Sequence, residues 1–308
     1  MTNAVRSDPA LPGLVAAGPD RGDLIGKVAP VVFLALWASG FGFAKVGLQY
    51  AEPLTFLMLR FGIIVCLFVP VFLIMRPKAP SRPIFWLHLV VVGFLIQTVY
   101  FGLAYMGMSF GVSAGVAAVI ASTQPLIVAA AAPFLTAERV GLDRWIGLVL
   151  GAAGAVTVIA ADASFEASLE VGLVLCIGSA LGMAAATIYQ KRFPTDAHPV
   201  TVNLVHYAVG LVTIAPLAWG FETGTVNWTA DLMLSLGWLI LANSILAISL
   251  LLYMIRRSEA SRVSALFFLI PPVAALFGWV LLGESLTPLA CLGMAVAATG
   301  VWLVSRSR

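Results

Sequence analysis

The amino-acid sequence predicts an all-α integral membrane protein of ten transmembrane helices, arranged as two inverted five-helix repeats. Three observations predict it: composition, the rhythm of apolar stretches and basic residues, and an internal repeat at an offset of 146 residues. Apolar residues make up 61% of the 308 positions and charged residues 10%. With a mean hydropathy of +1.03, the chain holds more apolar surface than one soluble core can bury, so lipid must be its solvent.

A helix crossing ~30 Å of hydrocarbon needs ~20 apolar residues. Such stretches fall at roughly 28–48, 54–75, 84–107, 113–134, 144–161, 169–190, 200–219, 231–255, 263–282 and 287–305. Residues 1–27 carry Pro, Gly and Asp without an apolar run and read as a disordered cytoplasmic tail. The first repeat is expected over 28–161 and the second over 169–305. Placing the N-terminus inside puts 15 of the 17 basic residues on the cytoplasmic side, leaving Lys45 and Arg60. Helix count and orientation, with both termini cytoplasmic, therefore support one another under the positive-inside rule. The net charge of +3 carries no sign of nucleic-acid binding. Cys66, Cys176 and Cys291 lie singly in apolar spans, without the spacing of a metal site or a disulfide framework.

The repeat is visible residue by residue. Ala51, Pro53 and Thr55 recur as Ala197, Pro199 and Thr201; Pro125 and Glu138 recur as Pro271 and Glu284. Gly147 and Gly154 recur as Gly293 and Gly300, Lys45 as Lys191, and Gln97-Thr98 as Asn243-Ser244. Five helices per repeat is an odd number, so the second copy enters the membrane upside down. One chain then has two halves of similar energy that can exchange conformations, the physical basis of alternating access.

Trp37-Ala-Ser-Gly40-Phe in the first helix, Pro53 through Arg60, and the helix endings Pro125 to Glu138 and Pro271 to Glu284 together resemble the drug/metabolite transporter superfamily, EamA-type branch. The resemblance spans residues 28–305 and is greatest to YddG-type exporters of aromatic amino acids. It implies an exporter of small metabolites in a bacterial-type inner membrane, with lipid and a small-molecule substrate as its partners and no cofactor.

No acidic residue lies inside a span, which removes a buried carboxylate proton relay and makes facilitated export the expected mode, with coupling through His206 a weaker one. Arg60 lies seven residues, about 10 Å, into its helix. It reads either as a contact for a substrate carboxylate or as a structural side chain, snorkelling to the outer interface or tying helix ends together through backbone carbonyls, and its depth favours the structural reading. His206 is its equivalent near the other face. Glu138 and Glu284 end their helices and are expected to cap a neighbouring helix or pair with a base, gating being the sharper alternative. The glycine faces of the fifth and tenth helices are expected to pack together; a homodimer contact is the competing use, so the oligomeric state stays open and a monomer suffices.

The substrate site is expected at the midplane, where inversion maps the bilayer centre onto itself. Gln97 and Asn243 are its polar pair, with Ser39, Gln124 and Ser244 assisting and Trp37, Tyr100 and Phe267 as walls. Thr98, Ser122, Ser179 and Thr187 are further polar residues at that depth. Such a cavity suits a zwitterion with an apolar or aromatic side chain. A membrane-embedded enzyme finds no HExxH, no midspan aspartate pair and no Ser/His/Asp set among three histidines. A channel would draw symmetry from an oligomer, not from one inverted chain.

Overall fold

Proline opens four of the helices, at Pro53, Pro83, Pro199 and Pro288, where its fixed φ suits a first turn and its missing N–H costs nothing. The computed structural model describes residues 21–136, 142–162, 167–247, 250 and 269–306. Within these, the chain forms α1 (Arg21–Gly47), α2 (Pro53–Met75), α3 (Pro83–Ser109), α4 (Ala114–Ser122), α5 (Gln124–Thr136), α6 (Leu142–Asp162), α7 (Ala167–Arg192), α8 (Pro199–Phe221), α9 (Ala230–Ala247), α10 (Ile270–Leu282) and α11 (Pro288–Arg306).

Six of these, α1, α2, α3, α7, α8 and α9, are long and apolar enough to cross a membrane. Shorter apolar stretches occupy Ala114–Val128, Trp145–Ala161, Ile270–Leu282 and Pro288–Leu303. The apolar stretches fall where the sequence places its spans, and six of them reach full span length among the described residues. Helix α1 starts at Arg21, inside the stretch assigned to the tail; extending an existing helix adds a hydrogen bond per residue and avoids a new nucleus. Leu73 and Ile74 on α2 and Val212 and Trp219 on α8 are exposed, an apolar outer surface that suits lipid.

The second repeat is inverted. Helices α2 and α8 begin at equivalent prolines, yet the N-terminus of α2 sits beside the C-terminus of α8. There the Glu222 carboxylate accepts from the Leu54 and Thr55 amides at 2.8 and 2.7 Å, and Glu52 accepts from the Thr223 and Gly224 amides at 2.9 and 3.0 Å. Glu222 thus meets the positive pole of α2. An isolated bridge joins Ala51 to Val226.

Helices α6 and α11 are also equivalent and antiparallel, and their glycine faces meet as the sequence expects. A Cβ on Gly154 would lie 2.7 Å from the Gly293 carbonyl, and one on Gly300 would lie 2.6 Å from the Gly147 carbonyl. Backbones approach here as only glycine allows.

The repeat extends to irregular backbone. A π-helical stretch interrupts α3 at Phe94–Gly102 and forms the second half of α9 at Leu239–Ala247. Between α4 and α5 the helix breaks at Thr123, whose hydroxyl donates to the Ile120 carbonyl at 2.7 Å, and restarts at Gln124 before Pro125. Helix α10 starts at the equivalent Ile270 before Pro271.

Candidate functional site

One end of the helix assembly is drawn shut. It carries the loops at 48–52, 110–113, 222–229 and 283–287. Lys45, in the last turn of α1, donates to the carbonyls of Gly111 and Val112 and lies 3.7 Å from Glu284. Glu284 accepts from the Ala114 amide at 2.9 and 3.1 Å, so it caps α4, as the sequence expects of a carboxylate placed against its own helix dipole. Deeper, Trp238 Nε1 donates to Ser39 at 2.9 Å and Ser235 donates to the Phe43 carbonyl. Tyr50 donates to Asp231 at 2.9 Å, and this bond, followed by burial and the carboxylate's charge, raises the phenol's pKa. At the opposite end Asp196 accepts from the Ser81 amide at 3.2 Å, and hydrogen bonding from the Ser81 side chain, then from that amide, holds its carboxyl below the usual range.

Beneath the shut end lie two adjoining cavities. The first encloses about 420 Å³ including its mouth, among Trp37, Phe41, Arg60, Tyr100, Phe101, Tyr105 and Asn243. The second, about 510 Å³, runs between Trp37, Phe41, Tyr100, Ser122, Gln124 and Ile270. Trp37, Phe41 and Tyr100 line both. The walls come from helices of both repeats and sit beside the π-helical stretches and the Thr123 break. Irregular backbone of this kind is tolerated at membrane depth where it lines a cavity, and π segments gather at functional sites.

Arg60 does not snorkel. It is 2% exposed and turned into the first cavity. One terminal nitrogen donates to the Tyr105 hydroxyl at 2.8 Å, the other to Ser244 at 3.1 Å, and the guanidinium lies 5.0 Å from the centre of the Phe101 ring. Its Nε–H has no partner.

The structure gathers some of the expected site residues and separates others. Trp37, Tyr100 and Asn243 line the first cavity. Asn243 donates to the carbonyls of Leu36 and Trp37 at 3.1 and 3.3 Å, in space that Gly40 leaves free. Gln124 lines the second cavity and donates to Thr187 at 2.8 Å, and Ser122 lies beside it. Ser244 reaches the site only through Arg60, while its own hydroxyl bonds the Leu239 carbonyl at 3.0 Å. Ser39 is fully buried between the Leu36 carbonyl and Trp238.

Gln97 lies apart from both cavities. It is buried, its Oε1 has no partner, and it packs against Gly210 of α8. Thr98 pairs across to Thr213 of α8, and Ser179 donates to the Cys176 carbonyl at 2.8 Å. His206 is buried against Gly93 with Nε2 unpartnered, and lines neither cavity. Phe267 and Glu138 lie outside the described residues.

Residues 24–160 and again 170–306 match the EamA-like transporter family. The chain belongs to the EamA-like transporter family. The two matches begin and end 146 residues apart, the offset at which the sequence repeats itself. A probable amino-acid metabolite efflux pump of Salmonella typhimurium is 26% identical over 283 residues, covering 89% of this chain and 92% of its own. One of Escherichia coli bearing the same name is 26% identical over 286 residues, covering 90% and 93%. The inner membrane transporter YedA of Escherichia coli is 25% identical over 271 residues, covering 88% and 87%. A solved protein crystal structure superimposes with a TM-score of 0.63 over 91% of this chain and 96% of its own; at 16% identity the likeness shows the fold alone. This EamA-type chain is thus a membrane transporter, a class distinct from enzymes, and two of these relatives are named for amino-acid metabolite efflux.

Sequence reasoning misses Phe41, Phe101 and Tyr105 as walls. Phe101 lies in the π-helical stretch of α3, where residue spacing does not set side-chain direction, but Phe41 follows Trp37 by four on α1, the spacing that puts side chains on one helix face. That spacing was available as a signal.

Proposed function

We propose that this transporter exports apolar and aromatic amino acids by alternating access through ten spans, with the paired cavities as the substrate path. The single observation that carries this reading is the cavity bounded by Trp37, Phe41, Tyr100, Phe101 and Asn243. Rings on several sides with few polar groups suit a flat apolar side chain, and the polar groups fix its orientation. The names of the relatives from Salmonella typhimurium and Escherichia coli favour amino-acid metabolites as the class. The YddG-type resemblance favours aromatic ones.

With both termini cytoplasmic, the shut end faces outward. The arrangement is then the outward-closed member of the cycle, and the equivalent contacts of the other repeat close the opposite end in the other member. Glu52, Glu222 and Glu284 all sit at helix ends. Export then runs down the metabolite gradient without a midspan proton carrier.

Counterflow in proteoliposomes tests the reading. Vesicles preloaded with unlabelled phenylalanine should accumulate labelled phenylalanine and tryptophan transiently and saturably, with the label recovered chemically unchanged. Linear, non-saturable flux would indicate a channel, and altered label an enzyme. Counterflow restricted to sugars or organic cations would remove the amino-acid reading while leaving the carrier.

A further inference from the structure

We propose that Arg60 is the receptor for a substrate carboxylate, so that the cavity selects molecules bearing a free carboxylate and rejects their amides and amines. The inference rests on the reading of this cavity as the substrate site, and it names the chemistry of the end opposite the apolar side chain.

The argument begins with charge. A guanidinium about 10 Å into a membrane helix is costly unless it is paired. Arg60 is 2% exposed, so neither water at the interface nor a lipid headgroup compensates it. Lys45, the other basic residue outside the cytoplasmic set, lies 3.7 Å from the Glu284 carboxylate. Among the described residues Arg60 has no carboxylate partner. Its contacts are two neutral hydroxyls and the face of Phe101, which leave the positive charge unbalanced.

Donor count points the same way. Guanidinium carries five N–H groups in a planar fork. Tyr105 and Ser244 take one each, leaving three, and Nε has no partner although it is buried. A residue serving only to tie α2 to α3 and α9 would have its donors satisfied, because a buried unpaired donor forfeits its hydration with nothing in return. A carboxylate is the group whose two oxygens match this fork, and the pairing is strongest where water is excluded. Tyr105 accepts from Arg60, which leaves its own hydroxyl proton to donate to the same carboxylate.

Asn243 supplies the other pole. Its amide nitrogen is held by the Leu36 and Trp37 carbonyls, which leaves its oxygen as an acceptor for an ammonium group. The receptor exists in one repeat only. The equivalent of Arg60 is His206, which lines neither cavity, so a substrate keeps the same polarity relative to the chain as the two repeats exchange conformations.

The test uses the purified full chain in lipid nanodiscs, with phenylalanine, phenylalaninamide, phenethylamine and 3-phenylpropionate as probes. Phenylalanine should bind at least tenfold more tightly than phenylalaninamide or phenethylamine, and 3-phenylpropionate should compete with it. Arg60→Gln should abolish the preference for acid over amide. Tyr105→Phe, which keeps the ring and its packing, should narrow that preference several-fold and covers the case in which Arg60→Gln fails to fold. Equal binding of acid and amide by the wild type, or an unchanged preference in a folded variant, overturns the receptor. If no amino acid binds but 3-phenylpropionate does, the amino-acid reading fails and the receptor stands; if no carboxylate binds, the receptor falls.

Discussion

Lys45 and Glu284 approach to 3.7 Å between the last turn of α1 and the residue following the Gly283 cap of α10, joining the first repeat to the second. The pair is anchored on backbone: Lys45 donates to the Gly111 and Val112 carbonyls at the end of α3, and Glu284 caps Ala114 at the start of α4. Gly278 makes room, since a Cβ there would collide with the Glu284 carboxylate. Four helix ends therefore depend on one carboxylate. Glu284→Ala should destabilise the folded protein by about 1–2 kcal/mol, combining a lost cap with a lost ion pair. Glu284→Gln, whose amide oxygen still accepts from Ala114, should cost less than half of that. Thermal melts in one detergent compare them, and equal melting temperatures for wild type and alanine variant would dispose of the cap.

The contact between α6 and α11 makes a sharper demand. A Cβ on Gly154 meets the Ala297 Cα and the Gly293 carbonyl, each at 2.7 Å, and both are backbone that cannot turn away. Gly154→Ala should therefore cost about 1–3 kcal/mol by overpacking, and Gly154→Leu should abolish folded yield. Gly237 of α9 has nothing within 4 Å of an added Cβ, so Gly237→Ala should leave yield unchanged or raise it. Size-exclusion profiles of the three variants decide the matter.

How much of this was legible in the sequence depends on the element. The repeat, the inversion and the α6–α11 contact follow from residue identity at a fixed offset and from a parity argument, and neither needs side-chain direction. The site needed direction, and there the reading divides. Asn243 lines the cavity while its equivalent Gln97 packs on α8. Both lie in π-helical stretches, where 3.6-residue phasing no longer tells which way a side chain points. Arg60 was read from depth alone, as a residue near a surface. Tyr105 and Phe101 of α3 and Ser244 of α9 surround it there, and such long-range cover has no local signature.

The two faces of the molecule give a topological prediction. Ala79 lies in the segment that meets Asp196 through Ser81, and Asn227 lies in the segment that meets Tyr50. Both are exposed. In a background lacking Cys66, Cys176 and Cys291, Asn227→Cys should react with a membrane-impermeant maleimide in intact cells. Ala79→Cys should react only after the membrane is opened. The reverse pattern would invert the orientation, and labelling of both in intact cells would contradict a chain that crosses the membrane between them.

The last prediction separates Asn243 from Gln97, which the repeat makes equivalent and the structure does not. Asn243 presents its amide to the cavity and is fixed by two carbonyls of α1, so its removal takes away a positioned hydrogen-bonding group and enlarges the space beside Gly40. Asn243→Ala should lower the transport rate about tenfold, the equivalent of about 1.4 kcal/mol of polar contact, with folded yield retained. Gln97 offers the substrate nothing, because its side chain lines neither cavity. Its amide oxygen already lacks a partner. Gln97→Ala should therefore shift the melting temperature while leaving transport per folded molecule within about twofold of wild type, since only packing against Gly210 is altered. Gln97→Leu, similar in volume and without the orphaned oxygen, should be at least as stable as wild type. Counterflow rates normalised to folded protein measure all three. A tenfold loss in Gln97→Ala alongside an unaffected Asn243→Ala would mean that the cavity described here is not the one the substrate uses.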